Sequence, residues 1–403
     1  MPKHVIIAGA GIVGVSTGIW LKRVSDAEVT IVDRLDPGEG TSHGNAGVLA
    51  ACSIAPVTAP GLIRKAPGML LSPDFPLFLR WGYFPKLIPW LLKYLSHAND
   101  KDTRRIAEGL VTIVADSVDQ HKALVAETQA AEWVTESNYS FAYPSRAAFD
   151  GDAYTWALRR DAGFEPVLRE GQAVRDFEPN LSPSIGCLAT VSDHGFIRDP
   201  GGYVKALASV FEGLGGKIMR SEIKDFELTD GKVTAALTSE GPIPCDKVVL
   251  CTGVWSKPLM QKLGISVPLE SERGYHIIFE APEHGPSHPI MVASGKFVAT
   301  PMAAGLRCAG VVEFGGLDAG PSEAPFDLLR RHTRAAFPHL TWTEEIEWLG
   351  HRPAPADSLP MIGEIRNSEI FTAFGHHHIG LTGGPKTGRM VASLVAAQPI
   401  NTD

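Results

Sequence analysis

The chain has 403 residues, more than one compact domain ordinarily holds, so two domains are expected. Hydrophobic residues make up 44% and charged residues 20%, and the formal net charge is −8. That is an ordinary globular composition, and with no basic excess to neutralise phosphates it excludes a general nucleic-acid binder.

Five scattered cysteines, Cys52, Cys187, Cys245, Cys251 and Cys308, include no C-x-x-C pair. The pattern suits a reducing compartment and supplies no metal framework. Residues 1–25 place a nucleotide-type fold where a leader would stand, and no uncharged apolar run reaches the roughly 18 residues of a spanning helix. A cytoplasmic location is expected.

In chain order, His4-Val5-Ile6-Ile7-Ala8 is a short apolar strand, followed at once by Gly9-Ala10-Gly11-Ile12-Val13-Gly14 and an apolar helix through Leu21. The run Glu28–Val32 predicts a second strand, closed by Asp33 nineteen positions after Gly14. Each part has a task in gripping a dinucleotide. Gly9 makes the tight turn, Gly11 lets backbone approach a pyrophosphate, and Gly14 lets helix and strand pack closely. The helix N-terminus, at Ile12 and Val13, faces the phosphates, and Asp33 accepts hydrogen bonds from a ribose.

A loop rich in Gly, Ser, Ala and Pro runs from Asp36 to Pro60. Residues 61–195 lack the βα rhythm and predict one long helix near Arg104–Thr128. At Phe196 a new unit begins, with Asp199 and Pro200 placed as N-cap and first turn of a helix over Tyr203–Leu214. Strands at Lys217–Arg220, Asp225–Leu228 and Lys232–Leu237 follow, the last two joined by Thr229-Asp230-Gly231. Lys247–Cys251 reads as a buried strand ending at Thr252-Gly253, a second place for backbone to approach a ligand. Residues 264–345 are strand-rich, Ile370–Phe374 is a short strand, and a helix is predicted from near Pro385.

The segment 75–95 interleaves Phe75, Phe78, Trp81, Tyr83, Phe84, Ile88, Trp90, Leu91 and Tyr94 with Arg80, Lys86 and Lys93. It is the one candidate for peripheral contact with the inner face of a membrane. Pro76, Pro85 and Pro89 should break any long amphipathic helix there, which favours a core or lid element.

Several segments together carry a resemblance. They are the N-terminal fingerprint, Thr41-Ser42-His43-Gly44-Asn45-Ala46-Gly47, Thr252-Gly253-Val254-Trp255-Ser256, Arg273-Gly274-Tyr275-His276, Arg352-Pro353 with Asp357 to Gly363, and Gly375 to Gly388. In this order and over nearly the full length, the chain resembles the D-amino-acid dehydrogenase group of the D-amino-acid oxidase superfamily. The resemblance implies an α/β fold: a Rossmann-like FAD-binding domain interleaved with an α+β substrate domain built on a mostly antiparallel sheet. The expected FAD-binding portions are 1–60, 196–263 and 346–403, and the substrate domain takes 61–195 and 264–345.

It also implies non-covalent FAD, with His43 the side chain to check for a covalent link. Arg34, beside Asp33, would reach adenosine or else be a plain surface arginine. Thr41, Ser42, Asn45 and Ala46 would line the isoalloxazine, with Gly47 and Val48 offering N–H groups toward N5 and O4. Ile223, Thr252, Gly253 and Trp255 would hold the middle of the cofactor. Gly380, Leu381 and Thr382 would set free N–H groups and a positive helix end against the charge near N1 and O2. Lys386 would add charge there or be a solvated first-turn residue.

His376, His377 and His378 invite a metal reading. Adjacent histidines cannot all face one ion, and no carboxylate or cysteine stands at ligand spacing. No metal is expected, and His376 or His378 should hydrogen-bond behind the flavin.

Arg352 is the implied holder of an amino-acid carboxylate, because a guanidinium fork binds carboxylate bidentately. The alternative is a structural ion pair. Tyr275 and His276 come next, with the Tyr275 hydroxyl as a second carboxylate donor or pocket wall. The implied reaction is oxidative deamination of a D-amino acid by hydride transfer from the α-carbon to flavin N5, giving a 2-oxo acid and ammonia. Little side-chain acid–base chemistry is required, provided the amine enters neutral or loses its proton on binding. Electrons would pass to a quinone, another carrier or O2. Rival readings are a secondary amino acid such as D-hydroxyproline, sarcosine or another N-alkyl amino acid, a 2-hydroxy acid, or a flavin-binding subunit of a larger complex.

Overall fold

A computed structural model describes residues 3–64, 68, 72 and 74–400. Two large sheets organise it. The first has six strands in the order Met361–Glu364, Ile370–Phe374, Lys247–Leu250, His4–Ala8, Glu28–Asp33, Lys217–Arg220. All pairings within it are parallel except that of the first two. Its central strand, His4–Ala8, is buried along Val5 to Ala8, as a parallel strand covered on both faces must be.

Two helices pack over this sheet and against each other. The helix Ile12–Val24 meets Gly380–Ala396 where both present small residues: a methyl at Gly388 would stand 2.7 Å from the Thr17 backbone nitrogen. This close approach brings both helix N-termini to the same edge of the sheet. The edge is the carboxyl end of the parallel strands, where open α/β sheets bind ligands.

The second sheet is mostly antiparallel. Its main path runs Glu345–Pro355, Leu269–Phe279, Gly305–Phe314, Phe297–Met302, Ile290–Val292, Val134–Tyr143, Cys187–Ile197, Val48–Leu49. The strand Glu345–Pro355 belongs wholly to this sheet, so the boundary expected at residue 346 falls inside it. The helix Glu323–Ala336 covers one face, and Phe326, Leu328 and Leu329 join the core beneath it.

Three local expectations are corrected. The helix expected over Arg104–Thr128 is two helices, Asp100–Val114 and Ser117–Val125. Asp116 sits between them in a non-helical conformation, its carboxylate held by Lys386 Nζ at 2.7 Å. The C-terminal helix begins at Gly380, not near Pro385. Proline lacks the N–H that would bond the Leu381 carbonyl, and His121 Nε2 takes that carbonyl instead at 3.0 Å.

The prolines of 75–95 do not prevent a helix either: Phe84–Ser96 is helical over 13 residues. Pro85 lies in the first turn, where its N–H is not needed, and Pro89 forfeits only a bond to that same turn. Leu87, Trp90 and Tyr94 are buried, with Trp90 Nε1 donating to the Ala354 carbonyl at 3.0 Å. This is the core arrangement; Trp81, Ile88 and Leu92 remain exposed.

Candidate active site

One cleft of about 1340 Å³ separates the two sheets. Ordinary small-molecule pockets hold roughly 300–1,000 Å³, so a dinucleotide and a substrate fit together. At the first sheet, Gly11, Ile12 and Val13 line it. Gly9 and Gly14 lie behind that wall and shape it. Gly9 has φ of +105°, and a methyl there would stand 2.6 Å from the Cys251 carbonyl; one at Gly14 would stand 1.9 Å from the Gly9 carbonyl. Both positions therefore require glycine.

Asp33 accepts from the Ala10 N–H at 2.7 Å and the Leu35 N–H at 2.9 Å, bracing the turn while its carboxylate borders the cleft. Arg34 is exposed, with its guanidinium over the Trp255 ring at 4.2 Å, and both residues border the cleft with Ile223, Thr252 and Gly253.

The loop 41–48 crosses between the sheets. Thr41, Ser42, Asn45, Ala46 and Val48 face the cleft. Asn45 Oδ1 accepts from the Gly47 N–H at 2.9 Å, so that N–H is already engaged. Gly47 itself is not at the wall. Ser42 Oγ accepts from the Ile12 N–H at 3.1 Å, tying the loop to the first helix. Opposite stands the start of Gly380–Ala396, with Gly380, Leu381 and Thr382 at the wall. Their N–H groups precede the first intrahelical bond, Gly383 N–H to the Ile379 carbonyl, and are free for an anionic ligand. Lys386 does not contribute there; it pairs with Asp116.

The antiparallel sheet supplies the floor. Glu272, Gly274 and His276 alternate along one face of Leu269–Phe279, and Trp348, Gly350 and Arg352 along the same face of its neighbour, with Glu272 opposite Arg352. The glycines leave space that Trp348 and Arg352 fill. The Arg352 side chain makes no hydrogen bond or ion pair with any described residue. Burial pulls its pKa below the ordinary arginine value and Glu272 opposes that, but a guanidinium stays charged. A charged fork at the cleft wall, with no carboxylate bonded to it among the described residues, has the geometry to take a carboxylate ligand.

Tyr275 lines the cleft, as the pocket-wall alternative expects, but is corrected as a carboxylate donor. Residues alternate across a strand, so its ring points away from Arg352 into the core. Its hydroxyl donates to Glu313 Oε2 at 2.7 Å and accepts from the Ser322 N–H at 3.1 Å. His276 is not at the cleft wall. It stacks on Trp348, with centroids 5.0 Å apart and 14° between planes, and its Nδ1 is 3.1 Å from the Gly44 carbonyl. Burial holds it neutral, with a pKa of about 3. It props the 41–48 loop.

Of the three adjacent histidines, His376 is buried, with Nε2 at 3.0 Å from Thr387 Oγ1, and burial lowers its pKa to about 4. His377 adopts a left-handed φ of +49° and its Nε2 contacts Glu272 Oε2. His378 Nδ1 is 2.9 Å from His377 Nδ1. Among the described residues no group of histidine, cysteine and carboxylate side chains has metal-site geometry.

Sequence reading missed Glu272, which stands one residue before the quoted Arg273-Gly274-Tyr275-His276. It also missed Trp348. The alternation Trp348-x-Gly350-x-Arg352 was a readable sign of one strand face. Nor did it single out His121, the partner of the Leu381 carbonyl.

The arrangement defines an oxidoreductase that grips a dinucleotide at a glycine turn and closes it with a second helix end. The chain belongs to the FAD dependent oxidoreductase family, DAO, which matches residues 4–394. It is 39% identical over 404 residues to a D-amino-acid oxidase of Bradyrhizobium diazoefficiens, covering 98% of this chain and 96% of that one. It is 25% identical to a D-amino acid dehydrogenase of Helicobacter pylori, covering 98% and 95%. Among solved structures, L-proline dehydrogenase from P. horikoshii shares the fold with a TM-score of 0.74 at 18% identity, covering 99% and 95%.

The cofactor is FAD, and the residues present fit it: a glycine cradle for the pyrophosphate, Arg34 and Trp255 along the cleft, and free N–H groups at Gly380 to Thr382. Cys251 is the one thiol at the cleft wall among the described residues, and burial keeps it protonated, with a pKa pushed up to about 12. His43 leans on Trp348 and is not at the wall.

Proposed function

We propose that this enzyme, an FAD-dependent amino-acid oxidase or dehydrogenase, acts on a D-amino acid and yields a 2-oxo acid and ammonia. The unpaired Arg352 guanidinium in the same cleft as the nucleotide grip carries the reading, and the full-length likeness to a D-amino-acid oxidase supports it.

In this proposal Arg352 binds the substrate carboxylate bidentately and fixes the α-carbon. Gly380, Leu381 and Thr382 direct N–H groups toward the developing negative charge. Trp348, backed by His276, forms the floor, and Leu87, Trp90 and Tyr94 wall the side-chain arm and exclude water. When bound, FAD supplies the hydride acceptor for the α-hydrogen. Non-covalent attachment is part of the proposal, as is a division into a nucleotide lobe around the parallel sheet and a substrate lobe around the antiparallel one. A quinone or another carrier is proposed to take the electrons. Peripheral membrane contact would use the exposed Trp81, Ile88 and Leu92 beside Lys86 and Lys93; co-sedimentation with anionic vesicles tests it.

The test of the reaction is an anaerobic titration of the purified holoenzyme with single amino acids. D-enantiomers should bleach the flavin bands. Bleaching by N-alkyl amino acids alone, or by L-enantiomers alone, would overturn the substrate assignment. Admission of air to the bleached protein then separates oxygen from other acceptors.

A further inference from the structure

We propose that His378, His377 and Glu272 form a relay that takes the proton from the substrate's ammonium group. The inference rests on the amino-acid reading above. It assigns to residues of this chain a step that the carboxylate clamp leaves open. An amino acid near neutral pH carries a protonated amine, and its α-hydrogen cannot leave as hydride until the nitrogen has a lone pair to form the C=N bond.

The connectivity is set by hydrogen bonds. Glu272 is a buried carboxylate at the cleft wall. Burial opposes its ionisation, yet His377, Arg352 and His378 together hold its carboxyl below the usual range. An ionised carboxylate only accepts, so His377 Nε2 carries the hydrogen between them. The two Nδ1 atoms, 2.9 Å apart, must share one proton. In the tautomer where His378 Nδ1–H is the donor, His378 Nε2 is left with a bare lone pair. That nitrogen makes no hydrogen bond to any described residue, and the His378 ring is exposed at the cleft wall.

The step balances as a double proton shift. The ammonium gives a proton to His378 Nε2 as the His378 Nδ1 proton moves to His377 Nδ1. His377 becomes an imidazolium beside the Glu272 carboxylate. The freed amine lone pair then forms the C=N bond as the α-hydrogen departs with its electron pair to FAD, the oxidant, leaving an iminium. His378 stands exposed at the cleft wall while His377 is buried against the Glu272 carboxylate, so His378 passes the proton and does not keep it. The charge rests on His377, the only member in contact with the carboxylate.

The charged and titratable groups around the relay come from three elements. Arg352 faces it from the neighbouring strand, Tyr94 approaches Glu272 from the helix Phe84–Ser96, and the histidines come from the segment before Gly380. Neither Arg352 nor a tyrosine hydroxyl, raised by burial, can accept the proton. The left-handed backbone of His377 is what aims one imidazole at both neighbours.

The test is the pH dependence of anaerobic flavin reduction in the wild-type holoenzyme and in E272Q and H378N. In both variants the acid limb should move up by about one pH unit or more, and the rate at pH 7 should fall on the order of 10²-fold, as expected for a lost general base. A β,β,β-trifluorinated D-amino acid, whose amine is already largely neutral, should lose less than about tenfold. A carboxylate inhibitor without an amine should bind the variants as it binds wild type, which reports an intact Arg352 clamp. His378 is exposed and holds one hydrogen bond, so H378N keeps the test if E272Q fails to fold. Acid limbs that superimpose on wild type, or equal losses with both substrates, would overturn the relay while leaving the amino-acid reading in place. A wild-type flavin that no amino acid bleaches would overturn the parent reading itself.

Discussion

The guanidinium of Arg352 lies against the α-carbon of Gly274, where a methyl group would stand 2.6 Å from Cζ. The proposed carboxylate clamp therefore depends on the absence of a side chain on the neighbouring strand. Gly274→Ala should leave the fold intact, because the far end of a flexible side chain is what must move. The displaced fork should lower kcat/KM on the order of 10- to 100-fold, as small misplacements of positioning groups do. Unchanged kinetics with normal FAD content would show that Arg352 does not position the substrate.

Removing the fork itself is the sharper experiment. Arg352→Ala should raise KM strongly and lower kcat/KM by about 10²-fold or more, the loss of two charge-assisted hydrogen bonds. FAD should remain bound, because the nucleotide grip lies on the other sheet. Arg352→Lys keeps the charge without the fork and should fall between the two. Near-normal turnover of R352A at low substrate concentration would refute the assignment.

His121 offers a test of how the cofactor edge is held. It is fully buried, with Nε2 on the Leu381 carbonyl and Nδ1 at 2.9 Å from the Tyr203 hydroxyl. His121→Leu strands both groups and should cost about 2–3 kcal/mol in chemical denaturation. It should also speed FAD dissociation, since Leu381 belongs to the helix start at the cleft. Loss of stability with no change in FAD release would separate the two roles.

Acid should destabilise the protein over a defined window. Burial lowers the pKa of His121 to about 4, of His376 to about 4 and of His276 to about 3, and all three are buried. Between those values and the unfolded value near 6.5, the unfolded chain binds protons that the folded chain does not. Stability therefore rises with pH in that window, and is lost as pH falls from about 6.5 toward 4. Each histidine contributes at most about 1.4 kcal/mol per pH unit there. Melting temperature measured from pH 7 to 5 should fall steeply, and H376N should flatten the slope of stability by at most about 1.4 kcal/mol per pH unit. A flat profile would contradict the buried neutral histidines.

Much of this was legible locally. The fingerprint, the Asp33 terminus and the strand Ile370–Phe374 depend on neighbouring residues, and the structure has them where the string put them. Arg352 was singled out by the resemblance of its Arg-Pro segment, and it does lie on an extended strand, as the proline after it favours. The misreadings were decided at long range. The helix break at Asp116 answers to Lys386, 270 residues away. The helix start at Gly380 survives Pro385 because His121 satisfies the carbonyl that proline leaves. The donor role of Tyr275 failed for a simpler reason: its hydroxyl belongs to Glu313, although the residue does line the cleft. Glu272 and His377 meet only in three dimensions.

The strand order of the parallel sheet also sets a timetable for biosynthesis. Val5 to Ala8 emerge from the ribosome well before their neighbour on one side, Lys247–Leu250, and before that strand's outer neighbour, Ile370–Phe374. The glycine turn must therefore wait, with one flank of its strand unpaired, through the translation of more than half the protein. Such delayed closure favours slow maturation and exposure to chaperones, and it ties flavin capture to the emergence of residues 370–396.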